Sequence, residues 1–129
     1  MRKQYHFWPG SIGRDAWDVD RLIELSRNLP VTDVDISSIA AVDTPYWFDE
    51  PASVTVRNIV EQMRLVREVE TQYPIILGPD ARLMDGMHRV ARAMLEGRTT
   101  IRAVRFAALP EPDFRSCRAE DLNYDREVG

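Results

Sequence analysis

The chain has 129 residues and a mass of 14.9 kDa, the size of one domain around one hydrophobic core. Hydrophobic residues at 44% and charged residues at 29% exclude wholesale disorder, and a net charge of −4 with a single lysine, Lys3, argues against a protein that coats nucleic acid. No apolar run approaches the roughly 20 residues of a membrane span, and Met1-Arg2-Lys3-Gln4-Tyr5-His6 is not a secretory leader, so no membrane partner and a cytoplasmic location are expected. The lone Cys117 excludes an internal disulfide and any multi-cysteine metal centre; with two histidines, a metal site has to lean on carboxylates.

The arginines are unevenly spread. Between Arg82 and Phe106 stand six of them against Asp85 and Glu96, a local charge of +4 in an acidic chain. Such a cluster either holds a small anion or decorates a solvated helix and strand edge.

In chain order, Tyr5-His6-Phe7-Trp8-Pro9-Gly10 reads as an extended aromatic arm broken by Pro and Gly. Asp15 or Asp18 can cap a helix running to about Asn28, with Trp17, Leu22, Leu25 and Leu29 or Ile23 on its apolar side and Pro30 to stop it. Val31 to Ile39 alternates apolar and polar residues around Val34 and Ile36, as a half-buried strand does. Asp43 to Pro51 is a loop bounded by prolines and rich in aromatics. From Ser53 to about Thr71, Val56, Ile59, Val60, Met63, Val66 and Val69 recur at three and four residues, the spacing of an amphipathic helix. Ile75-Ile76-Leu77, the turn Gly78 to Ala81, and Arg82-Leu83-Met84 form a hairpin. Met87 to Glu96 is a helix with Val90, Ala91, Met94 and Leu95 inward and Gly97 just past its end. Thr99 to Phe106, rich in β-branched residues, is the last strand, and the Pro-containing segment after it reads as a tail.

The chemistry concentrates in Leu83-Met-Asp-Gly-Met-His-Arg-Val-Ala-Arg-Ala93, a strand, a turn and a helix start. Gly86 permits a tight turn and close backbone approach, and the N–H groups that follow it, with the helix dipole, favour an anion such as phosphate. His88 and Arg89 can add charge-assisted bonds. Asp85 can bind Mg²⁺, orient Arg89 or accept a proton from a hydroxyl. The plainer alternative is that Asp85 caps the helix and His88 packs against the hairpin.

The order strand, helix, Pro-Ile-Ile-Leu, hairpin, then Met-Asp-Gly-Met-His-Arg-Val-Ala-Arg-Ala resembles the N-terminal domain of the ParB/sulfiredoxin superfamily, most strongly from Tyr73 to Phe106. The resemblance implies an α+β fold, a small mixed sheet packed by helices, with strands near Val34, Ile76, Leu83 and Ala103 and an extra N-terminal helix. The resemblance covers roughly Val31 to Phe106, so residues 31–108 are expected as the ParB-like domain, with residues 1–30 as the aromatic arm and helix and 109–129 as the tail read from the residues above. It further implies a nucleotide (CTP or ATP/ADP), with or without Mg²⁺, held at Gly86, Met87, His88 and Arg89. Asp85 and His88 become the candidate catalytic groups and Asp85 the candidate metal ligand, for phosphotransfer or nucleotide hydrolysis if there is turnover.

Two departures matter. The sulfiredoxin cysteine is replaced by Met87, whose thioether supplies no thiolate nucleophile. About 23 residues follow Phe106, too few for the helix-turn-helix of partition proteins, so specific DNA binding is not expected. A second function class is a non-catalytic adaptor that docks a protein through Tyr46, Trp47 and Phe48, which serve otherwise as a lid over the turn. A third, a DNA-acting nuclease, fits poorly with an acidic chain. The nucleotide hypothesis carries the expectation that Arg89→Ala loses ligand with little change in ligand-free stability.

Overall fold

The computed structural model describes residues 5–9, 14–48 and 50–117. In chain order the elements are β1 (Tyr5–Pro9), β2 (Arg14–Asp18), α1 (Val19–Ser26), β3 (Thr32–Asp35), α2 (Val56–Glu68), β4 (Ile75–Leu77), β5 (Leu83–Asp85), α3 (Met87–Leu95), β6 (Thr100–Arg105) and β7 (Phe114–Cys117), with short 3₁₀ turns between several of them. This is an α+β protein with a small mixed sheet packed by helices and an additional N-terminal helix, the fold class expected.

The described chain forms two compact units, one from residues 29–107 and one from both chain ends, 1–28 with 108–129. In the first, the sheet has the order β3-β6-β4-β5. β6 is antiparallel to β3 and parallel to β4, and β4 pairs antiparallel with β5. The four strands are those centred on Val34, Ile76, Leu83 and Ala103. Alternation along them sends Ile75, Leu77, Leu83 and Ala103 to one face, where they meet Met87, Val90 and Ala93 of α3 together with Ile36 and Ile39. Val34 and Trp47 pack on the edge of that core.

The expected strand after Val31 is shorter than its alternation suggests. It ends at Asp35, and Ile36 enters a 3₁₀ turn that still buries its side chain. Thr55 caps α2 by accepting from the Asn58 N–H at 3.1 Å. The apolar positions of α2 are not buried as a set. Val66 is, but Val56, Ile59, Val60 and Met63 are exposed. α3 corrects the sequence reading in the same way. Its inward stripe is Met87, Val90 and Ala93, whereas Met94 and Leu95 face outward. At about 100° per residue, Leu95 lies some 200° round the helix from Ala93, so both cannot be inward.

α3 ends where Gly97 was expected to end it. The Arg98 N–H donates to the Ala93 carbonyl and the Gly97 N–H to the Met94 carbonyl, both at 3.0 Å, with Gly97 at φ +74°. This is the double hydrogen bond of a Schellman cap. A Cβ on Gly97 would meet nothing within 4 Å. Gly97→Ala is therefore expected to cost only the left-handed backbone penalty, about 1 kcal/mol, read as a modest fall in a urea-denaturation midpoint.

In the second unit, β1 and β2 form an antiparallel hairpin and β7 pairs with β2. The N-terminal arm is thus a strand, and residues from the expected tail complete its sheet. Trp17 belongs to β2 and not to the helix, although it is buried as expected, at 2% exposure, with its indole N–H donating to the Pro110 carbonyl at 2.8 Å. Asp18 does cap α1, accepting from the Asp20 N–H at 2.9 Å. Of the loop carboxylates Asp43, Asp49 and Glu50, a plausible source of a base beside the turn, Asp49 lies outside the described residues.

Candidate functional site

The site residues sit where β5 runs into α3, and the local geometry starts from Gly86. It is the N-cap of α3, at φ +113° and ψ +24°, a conformation open to glycine and strained for other residues. A Cβ there would stand 2.6 Å from Ile75 Cγ2 and 2.9 Å from the Arg89 guanidinium. Gly86 therefore lets β4, the turn and the Arg89 side chain close on one another.

Asp85 does not cap the helix. No side chain among the described residues accepts from the first turn of α3, so the N–H groups of Met87, His88 and Arg89 are left to other partners. Asp85 instead accepts from Arg89 at 3.0 Å, one helical turn on, with both side chains largely buried at 17% and 16% exposure. The same guanidinium nitrogen reaches the Pro74 carbonyl at 3.4 Å. Arg89 Nε is buried without a hydrogen-bond partner, an unsatisfied donor that the fold carries at a cost. The Met87 side chain points into the core, so only its backbone can serve a ligand.

His88 is fixed from two sides. Its Nε2 lies 2.7 Å from Gln62 Oε1 on α2, and its ring stacks on Trp47, with centroids 4.9 Å apart and planes 14° from parallel. Burial, reinforced by the neighbouring Arg89 charge, lowers its pKa below the ordinary 6.5, while Asp85 pulls weakly the other way. The Tyr46 phenol, in the turn before Trp47, has its pKa raised by burial and then by the Asp85 carboxylate. The aromatic loop thus joins the turn through the stack of Trp47 on His88. Phe48 lines the groove between α2 and α3, as Trp47 also does.

A pH dependence follows from His88. With its native pKa depressed, the unfolded chain binds more protons than the folded one below the ordinary value. His88 therefore leaves stability intact above 6.5 and lowers it as pH falls from there through the depressed native value. Urea denaturation of wild type and His88→Phe at about pH 5 and pH 7 is expected to show the larger acid loss in wild type. Parallel losses would contradict this.

Gln62, Pro74 and Ile75 are the partners that sequence reasoning passed over. Gln62 had a signal, being a polar residue four positions before Val66 on the inward side of α2. The Pro74 carbonyl had none, since a backbone acceptor leaves no trace in residue type. Among the described residues no group of three or more His, Cys, Asp or Glu side chains could hold a metal ion. Asp85 is a single carboxylate already bonded to Arg89, so it suits Mg²⁺ only where phosphate oxygens and water complete the octahedron. No helix among the described residues is long and apolar enough to cross a membrane. Comparison with protein-family models, curated proteins and solved structures gives no match to this chain.

Proposed function

We propose that this chain binds the phosphates of a nucleotide at the Asp85–Arg89 turn, as a member of the ParB/sulfiredoxin type. The observation that carries the proposal is the uncapped start of α3, where three backbone N–H groups follow a glycine that has no room for a side chain. Donors so arranged, at the positive end of a helix dipole, suit a phosphate group. Arg89 adds a cation that its own fold keeps beside Gly86. His88 is held by its stack on Trp47 and its Nε2–Gln62 hydrogen bond, which leaves Nδ1 of the neutral ring as a proton acceptor.

In this proposal Asp85 has two tasks. It orients Arg89 and supplies a carboxylate to ligate a Mg²⁺ that arrives with the nucleotide. Asp85 and His88 are the groups assigned to move a proton, so phosphotransfer or hydrolysis, where it occurs, runs through them.

A thermal-shift panel of ATP, ADP, CTP, GTP and inorganic phosphate, each with and without Mg²⁺, tests this. A ligand at a hundredfold excess over its Kd stabilises the native state by about 2.7 kcal/mol, which the assay resolves. One nucleotide is expected to raise the melting temperature of wild type, and to raise that of His88→Ala less. No shift with any member of the panel, in a folded chain, overturns the proposal.

A further inference from the structure

We propose that the groove between α2 and α3 is a docking site for an amphipathic helix with an acidic border. The two helices lie side by side and enclose an open space of about 890 Å³, lined also by Trp47 and Phe48. Its lining is largely apolar. Val60 and Met63 come from α2 and Met94 and Leu95 from α3, exposed by 55%, 64%, 49% and 78%. A patch of that kind is seldom left bare, because its burial is a ready source of binding free energy.

Shape and charge identify the occupant. Two packed helices present ridges and a groove into which a third helix fits, with apolar residues at i, i+3, i+4 and i+7. Met63 and Met94 give the walls an adaptable surface. The charged residues lining the groove are Arg64, Arg67 and Arg92 against Glu96 alone, in a chain whose net charge is −4. Arg64 is neutralised by Glu61 and Glu68 on its own helix, and Arg92 bonds Glu96 at 3.4 Å. Arg67 differs. Among the described residues its guanidinium has no ion pair or side-chain hydrogen bond, while its carbonyl accepts from Arg92 at 2.6 Å. The border therefore offers one uncommitted cation, which an acidic residue on the occupant pairs and a basic one repels.

Two synthetic helices of about 18 residues test this, sharing one leucine stripe and flanked by Glu in one and Lys in the other. Binding to the full chain is read by peptide fluorescence anisotropy. The Glu helix is expected to bind at least about tenfold tighter than the Lys helix. Met63→Glu is expected to weaken the Glu helix by more than about tenfold, and Arg67→Glu to reverse the preference. Both positions are exposed, and melting curves of both variants confirm that each is folded. Equal binding of the two helices, preference for Lys, or binding of neither overturns the proposal. So does a wild-type chain that sediments as a dimer and becomes a monomer on Met63→Glu, which assigns the groove to a second copy.

Discussion

Gly86→Ala is expected to lower stability by about 2–5 kcal/mol, adding a left-handed backbone penalty of about 1–2 kcal/mol to overpacking of about 1–3 kcal/mol. The backbone stands at φ +113°, and the new methyl would lie 2.6 Å from Ile75 Cγ2. Ile75 is fully buried in the core and cannot swing away. The other close atom belongs to Arg89, so whatever relief is found there comes from displacing the guanidinium. The melting temperature is expected to fall by roughly 10 °C. Gly97→Ala is the control, having a positive φ but open space. Equal costs at the two glycines would contradict the close approach at the turn.

Arg89→Ala has the second large effect, and it reaches beyond a ligand. The sequence alone suggested a side chain free to serve an anion and dispensable without one. In the fold, its removal leaves the largely buried Asp85 carboxylate without its partner and the Pro74 carbonyl without a donor. A loss of about 2 kcal/mol is expected, since each deserted group loses a hydrogen bond it cannot fully replace with water. A double-mutant cycle with Asp85→Ala should return a coupling of about 1–2 kcal/mol, because the double variant no longer strands a carboxylate. The exposed Arg64 cluster gives the comparison. Its links to Glu61 and Glu68 face water, and Arg64→Ala is expected to cost clearly less than Arg89→Ala. A coupling near zero between Asp85 and Arg89 would mean that the two side chains do not depend on one another.

Local pattern was enough for elements that fold by short-range rules. The hairpin at Ile75 to Met84, the cap of α1 at Asp18 and the end of α3 at Gly97 all rest on residues within a few positions of each other. The second sheet was not legible, because β2 finds β7 across nearly the whole chain, and no local signal tells a strand in Phe114–Cys117 from a tail. Trp17 shows the same limit. Its burial follows from its size, while its place in a strand follows from a distant partner. Periodicity identified α2 and α3 as amphipathic but did not say that part of each apolar face stays uncovered. At the turn, Asp-Gly before a helix marked the segment where β5 runs into α3. The exchange of a cap for the Asp85–Arg89 pair, and the stacking of Trp47 on His88, needed three-dimensional geometry.

These features give the proposed site a definite physical form. Gly86 supplies closeness, the open amides of α3 supply direction, Arg89 supplies charge, and the Trp47–Gln62 clamp fixes His88 beside them. The most direct test is amide chemical-shift mapping of the ¹⁵N-labelled chain during titration with the nucleotide selected by the thermal-shift panel, in the presence of Mg²⁺. The largest changes are expected at the amides of Gly86, Met87, His88 and Arg89, with smaller ones at Trp47. Changes centred elsewhere, with those four amides unmoved, would contradict a phosphate site at the start of α3.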